Sequence, residues 1–274
     1  MTEQVHDVAI IGGGVCGTAL LYLLSEYTDI QNIALVEKYD QVASVNSHGR
    51  NNSQTLHCGD IETNYSLEKA AKVKAAAEMV VNYTETLDQR DDIIFKYPKM
   101  VLGVGEKECQ QLRQRFEQFK TVFTSMQLLE KEQIAEIEPN VIMVNGKMRP
   151  EPCVALAVLD EHAAVDYNRL AQSFVEQAEK HTDKAIRLHL KSHVENIVEK
   201  DGLFSIVTQN QVIKARSVVV SAGGHSLLLA QQMGYGLEYS CLPVAGSFYF
   251  TPPILNGKVY TVQNDKLPFA AVHG

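Results

Sequence analysis

The stretch Asp7-Val8-Ala9-Ile10-Ile11-Gly12-Gly13-Gly14-Val15-Cys16-Gly17 decides how this chain folds. Asp7 to Ile11 reads as a short, fully buried strand that stops at three glycines. After Gly14 the spacing turns helical: Ala19, Leu20, Leu23 and Leu24 share a helical phase, and the helix is expected to end near Ser25 or Glu26. Ile33 to Val36 follows as a second strand. This order places Gly12, Gly14 and Gly17 at the three positions of G-x-G-x-x-G. The first glycine allows a tight turn, the second lets backbone amides approach a pyrophosphate, and the third lets helix and strand pack closely. The helix N-terminus adds partial positive charge. Glu37 ends the second strand twenty residues past Gly17, where a carboxylate can accept both hydroxyls of an adenosine ribose. The pattern predicts a dinucleotide-binding turn. NAD and FAD present the same ADP half to such a turn, so the fingerprint leaves the choice between them open.

Outward from this turn, 274 residues suit two domains, and 45% hydrophobic with 21% charged residues is ordinary globular composition. The net charge of −8 provides no general basic surface, so nucleic acid is not expected as a partner. No basic region precedes an apolar stretch at the start and no run of about 18 apolar residues occurs, so a chain neither secreted nor membrane-spanning is expected. Cys16, Cys58, Cys109, Cys153 and Cys241 are scattered without a C-x-x-C pair, which fits reduced thiols in the cytoplasm. The histidines and carboxylates show no metal-ligand spacing, so no metal is expected, and no G-x-S-x-G elbow points to hydrolase chemistry.

Ser47 to Gly59 is dense in small, hydrogen-bonding side chains without amphipathic period, and reads as a site loop folding back along the cofactor. A solvated polar loop is the plain alternative. Leu67 to Leu87 reads as a long helix, with Glu78, Glu85 and Asp88 on or near its solvated face. Ile93 to Gly105 is strand-like, a charged amphipathic helix covers about Lys107 to Lys120, and Glu138-Pro139 marks a boundary. After Cys153 to Asp166 a helix is expected from Tyr167 to about Lys180, followed by strands over Arg187–Val198, Phe204–Thr208 and Val212–Ala215. Val218-Val219-Val220 then runs into the small-residue turn Ser221-Ala222-Gly223-Gly224, where backbone can again approach a cofactor. His225 reads as a cap or packing residue, and Leu242–Phe250 and Lys258–Val262 as strands.

These residues carry a resemblance over essentially the whole chain. Gly12, Gly14, Gly17 and Glu37, the Asn-Asn-Ser loop ending at His57, the Val165-Asp166 helix entry and Val219-Val220-Ser221-Ala222-Gly223 resemble the D-amino-acid-oxidase superfamily of flavoproteins. Within it, Asn51 to His57, Glu62-Thr63-Asn64-Tyr65 and Pro243 to Phe248 are similar to malate:quinone oxidoreductases. The resemblance implies FAD as cofactor, oxidation of malate to oxaloacetate, and transfer of electrons to membrane quinone from the inner face of the cytoplasmic membrane. The implied fold is α/β. A Rossmann-like FAD-binding domain, residues 1–90 and 152–230, receives an inserted α+β substrate domain, residues 91–151 and 231–274, built on a mainly antiparallel sheet. Members of the family continue past position 274, so a shortened form is expected.

The expected cofactor contacts are Gly12, Gly14, Val15, Cys16, Gly17, Glu37, Lys38, Ser47, Arg50, Asn52, Ser53, His57, Val194, Ala222 and Gly223. Oxidising a 2-hydroxy acid needs a base for the hydroxyl proton and a clamp for the carboxylate; histidine and arginine suit these tasks. His57 at the end of the site loop, His273 near position 274 and Arg50 within the loop are the candidates, against purely structural or flavin-contacting roles. Two other functions stay open: an oxidase of another 2-hydroxy acid such as 2-hydroxyglutarate, or of an amino acid, and a non-catalytic FAD-binding fragment.

Overall fold

The opening apolar run forms β1 (Val5–Ile11), and α1 (Val15–Tyr27) and β2 (Asn32–Val36) complete the expected strand, helix, strand order. Next come α2 (Leu67–Glu85), β3 (Ile94–Lys96), β4 (Lys99–Val104), α3 (Glu106–Phe119), β5 (Gln127–Glu130), α4 (Lys131–Ile137), α5 (Pro139–Ile142), β6 (Met143–Val144), β7 (Lys147–Met148), β8 (Cys153–Val158) and β9 (His162–Val165). The chain continues with α6 (Tyr167–Ala178), β10 (Ala185–His189), β11 (Val194–Lys200), β12 (Leu203–Thr208), β13 (Val212–Val220), α7 (Ser226–Gln232) and β14 (Lys258–Thr261). This computed structural model describes residues 4–242, 244, 249, 252–263, 273 and 274, so most of the strand expected over Leu242–Phe250 lies outside the described residues.

The chain divides into a first unit, Met1–Gln54 with Asp166–Ser247, and a second unit, Thr55–Val165 with Phe248–Gly274. The crossings therefore fall at Gln54 and Asp166, not at 90 and 152, and residues 231–247 belong with the first unit. Packing explains the shift. Leu67 and Ala70 of α2 pack in the cluster that covers β4 and β8, and β8 is buried along its whole length in the second unit's sheet.

In the first unit the sheet order is β10-β2-β1-β13-β12-β11. β10, β2, β1 and β13 are mutually parallel, and β12 and β11 extend the sheet as an antiparallel meander. Parallel pairing of Val8 with Ile33 and of Ile10 with Leu35 turns these four side chains to one face, with Leu21 of α1 and Val175 of α6. Ala9, Ile11, Ala34 and Val36 turn to the other, where Val194, Ile197 and Ile206 of the meander cover them. Burial on both faces is why β1 and β2 read as unbroken apolar runs. The buried stripe of α1 runs through Gly17, Thr18, Leu21 and Ser25, while Leu23, although in phase with the apolar positions, is 45% exposed. Asp166 caps α6 by accepting from the amides of Asn168 (2.9 Å) and Arg169 (3.0 Å), a contact worth about 1 kcal/mol.

In the second unit β14-β4-β8-β5 form a sheet that is antiparallel except for the β14–β4 pair. Val154, Leu156 and Val158 meet Leu112 and Phe119 of α3, while Cys153, Ala155 and Ala157 meet Ile134 and Ile142 on the opposite face. Glu138-Pro139 is a break between helices and not a domain boundary. Pro139 starts α5 at a position that needs no amide proton, and the buried Glu138 carboxylate accepts from the amides of Asn256 (3.0 Å) and Gly257 (2.5 Å).

His6 is 4% exposed, its ring meets the ring of His189 edge-on at 5.9 Å, and His6 Nδ1 and His189 Nε2 are buried without a hydrogen-bond partner among the described residues. Burial, helped for His6 by the neighbouring His189 and for both by Arg187, lowers both imidazoles below the ordinary value of 6.5. The unfolded chain then binds protons more readily than the native one, so stability is complete above the ordinary histidine value and is lost as pH falls below it. Thermal melts between about pH 7.5 and 5.5 should show a falling midpoint, and His6→Asn should flatten that fall.

Candidate functional site

The turn after β1 is shaped by two glycines that admit no side chain. Gly12 has φ +111, and a Cβ there would lie 2.4 Å from the carbonyl oxygen of Ser221. A Cβ on Gly17 would lie 1.9 Å from the carbonyl oxygen of Gly12, so α1 passes the turn at a distance only glycine permits. Gly14 differs. It is the N-cap of α1 in extended conformation, and a Cβ would meet only Ser47 Oγ, at 3.6 Å. α1 begins with no side-chain cap and no acid in its first turn, which leaves its positive end for an anionic ligand. The Val15 amide donates to Ser47 Oγ at 3.0 Å. Glu37, at the end of β2, accepts from the amides of Gly13 (2.7 Å) and Tyr39 (3.0 Å), which fixes its carboxylate beside the turn.

These groups open onto a cavity of about 760 Å³, within the range of small-molecule and cofactor sites. Gly12, Gly14, Val15, Cys16, Glu37, Lys38, Ser47, Val194, Ala222 and Gly223 line it, and Gly17 stands behind it. The residues present fit an ADP-like moiety: two backbone positions a side chain would fill, an uncapped helix start, and a carboxylate aimed at the turn. Sequence reasoning missed Tyr39, Asn46, Ser192, His193, Glu195 and the α7 residues Leu229 and Gln232. It also assigned His225 to capping or packing, whereas His225 is exposed on the cavity wall and makes no side-chain cap. Residues 192–195 come to the wall because β10 lies beside β2, which carries the start of β11 to the carboxyl ends of the parallel strands.

Arg50, Asn52, Ser53 and His57 do not line this cavity. Asn52 braces the loop: its Nδ2 donates to the carbonyls of Asn46 (2.9 Å) and His48 (3.1 Å), and its Oδ1 accepts from the amide of Gln54 (2.8 Å). Arg50 is exposed, and its backbone amide donates to His48 Nδ1 at 3.2 Å.

His57 belongs to the second unit, where its Nδ1 lies 2.7 Å from Glu62 Oε1. Next to it runs a buried charged cluster. Lys99 Nζ and Asp60 Oδ2 are 2.6 Å apart with side chains 3% and 2% exposed; burial works against the lysine charge, and the charges and hydrogen bonds of Asp60 and Cys58 together outweigh it and raise the ammonium above its ordinary value. Removing one member of such a pair costs about 3–5 kcal/mol. Burial pushes the Cys58 thiol up to about 11, so it is inert as a nucleophile near neutral pH. Arg115 is pulled down to about 10 by burial, against the charges of Glu62 and Asp60. His273 pairs with Tyr260 through backbone and stacks on its ring at 5.1 Å, and the Tyr260 hydroxyl meets Thr55 Oγ1 at 3.1 Å.

The two-unit α/β architecture and glycine turn define the class first: the fold is that of a group of solved oxidoreductases. Glycine oxidase from Geobacillus kaustophilus superposes with a TM-score of 0.68 at 20% identity, covering 93% of this chain and 66% of that one. L-alpha-glycerophosphate oxidase from Mycoplasma pneumoniae, solved with FAD bound, superposes with a TM-score of 0.62 at 21% identity, covering 94% and 65%. The profile of the family described as malate:quinone oxidoreductase (Mqo) matches residues 4–260, and the chain belongs to that family. It is 46% identical to the probable malate:quinone oxidoreductase of Campylobacter jejuni over its whole length, which is 62% of that protein. It is 43% identical to the malate:quinone oxidoreductase of Helicobacter pylori, with 98% of this chain and 60% of that protein covered. The chain thus spans about three fifths of the length of these curated relatives.

Gly17 and Gly14 should separate in experiment. Gly17→Ala is expected to lower stability by about 1–3 kcal/mol through overpacking. Gly14→Ser, at a position where serine caps as well as glycine, should stay within about 0.5 kcal/mol of the parent. Urea unfolding of both variants checks the contrast.

Proposed function

We propose that the chain holds FAD in the first-unit cavity and serves the oxidation of malate to oxaloacetate, with the electrons passed to quinone. The observation that carries this reading is the uncapped start of α1 beside the Glu37 carboxylate, in a chain whose family is malate:quinone oxidoreductase. Gly12 and Gly14 give the pyrophosphate its close approach, the first-turn amides of α1 meet its charge, and Glu37 accepts the adenosine ribose hydroxyls. Ala222 and Gly223 offer a second stretch of wall where backbone is uncovered.

Bound FAD supplies a two-electron acceptor for the hydride that leaves the hydroxyl-bearing carbon. His57 takes the hydroxyl proton, and Arg50 pairs with a malate carboxylate. The pair of electrons and two protons removed from malate end on quinone as quinol. Among the described residues no helix is long and apolar enough to cross a membrane, so in this reading the quinone is met by peripheral contact with the inner face of the cytoplasmic membrane.

The purified protein should show flavin absorbance between about 370 and 450 nm, and Gly14→Ser should fold yet lose it. Dye reduction should be faster with malate than with lactate, 2-hydroxyglutarate or amino acids. Absence of the flavin band sinks the cofactor assignment, and preference for another donor sinks the substrate.

A further inference from the structure

We infer that Glu62 is the residue that positions His57: by accepting a hydrogen bond at Nδ1 it leaves the imidazole lone pair on Nε2, the atom that takes the substrate hydroxyl proton. This rests on the role proposed above for His57.

The two side chains meet at 2.7 Å, with the acid 13% exposed and the imidazole 52% exposed. An ionised carboxylate only accepts hydrogen bonds, so the single ring proton of neutral His57 sits on Nδ1. Burial pushes the Glu62 carboxyl up, but the hydrogen bond and charge of His57, a hydrogen bond from its own backbone amide and the charge of Lys99 outweigh it and hold the carboxyl below its ordinary value. The second oxygen, Oε2, is buried with no hydrogen-bond partner among the described residues. Desolvating a carboxylate is costly, and the side-chain hydrogen bond this one makes in return is to the half-exposed ring of His57. The surface pair His181–Glu26 shows the contrast: the same 2.7 Å separation is made there with the acid 40% exposed.

The segment that carries Glu62 is held on both sides. Arg115 of α3 donates to the carbonyls of Glu62 (2.6 Å) and Tyr65 (3.0 Å), while its guanidinium lies 3.8 Å from the centre of the Phe119 ring. On the other side Asp60 is tied to Lys99 of β4 at 2.6 Å. Around the Glu62 carboxylate, besides His57, the charged and titratable groups are therefore Lys99 and Arg115 from neighbouring elements, Cys58, Asp60 and Tyr65 from its own segment, and Tyr260 of β14. Neither cation has replaced His57 as the hydrogen-bond partner of Glu62 Oε1, so the carboxylate is spent on orienting the imidazole. Fixing the tautomer and the ring plane before substrate arrives is the form of preorganisation a general base needs.

Nitrogen-15 spectra of the complete flavin-loaded protein with labelled histidine should show neutral His57 protonated at Nδ1. Glu62→Gln keeps the shape and removes the charge. It should lower kcat with malate roughly 10²-fold while KM changes less than about 3-fold, with flavin content and melting temperature kept. In a His57→Gln background the same change should cost less than about 3-fold, because the acid acts through the imidazole. Wild-type His57 protonated at Nε2, or losses that multiply in the double variant, would overturn the inference. Full turnover in His57→Gln alone overturns the base assignment itself, whereas an inactive His57→Gln beside a fully active Glu62→Gln overturns only the role of Glu62. Should Glu62→Gln fail to fold, the wild-type tautomer decides.

Discussion

The cofactor end of this molecule depends on one close approach, that of α1 to the carbonyl oxygen of Gly12. At Gly17 a single added carbon would sit 1.9 Å from that oxygen, so the helix reaches its place only because the position carries no side chain. Its start then lies on the cavity wall, with the Val15 amide held by Ser47 Oγ, and the same turn is pinned from below by the Ser221 amide bonding to the Ile11 carbonyl at 2.7 Å. Gly13 and Glu37 join the turn to the end of β2. The turn itself is made almost wholly of backbone, with the Glu37 carboxylate as its side-chain anchor.

The second unit works the other way. Its irregular segment, residues 57–65, is placed by buried charge: Asp60 on Lys99, and Arg115 on a row of backbone carbonyls. Such pairs add little net stability compared with apolar packing, but they allow few alternative arrangements, because either partner left alone in the interior is expensive. The segment between them is therefore set in position with an acid and a histidine in contact. Stiff placement of polar groups by a buried network suits a site better than a mobile surface loop would.

Much of the first unit was legible because its signals are local. The glycines announce themselves by spacing, Glu37 by its distance from Gly17, and β1 and β2 by unbroken apolar runs. Asn52 and Arg50, expected from the sequence as cofactor contacts, do not line the first-unit cavity. In the structure Asn52 is consumed by the loop's own carbonyls and Arg50 stands exposed, because a loop with few apolar contacts satisfies its backbone first. The domain crossing was misplaced for a related reason. Nothing in the run Cys153–Val158 says which sheet a fully buried strand joins, and that strand proved central to the second unit.

The amino-acid sequence by itself determined that a strand, a glycine turn, a helix and an acid would come together in one local unit, since each of those steps rests on residues near one another in the chain. Only the tertiary structure decided which distant residues complete it. Ser192, His193 and the face of α7 reach the cavity because β10 and β13 flank the first two strands, and strand order is settled by packing of whole faces. The pairing of His57 with Glu62 lies between the two cases. Six residues of irregular chain, 57 to 62, have no fixed period that would bring their ends together, so the contact exists through the clamps on either side of it.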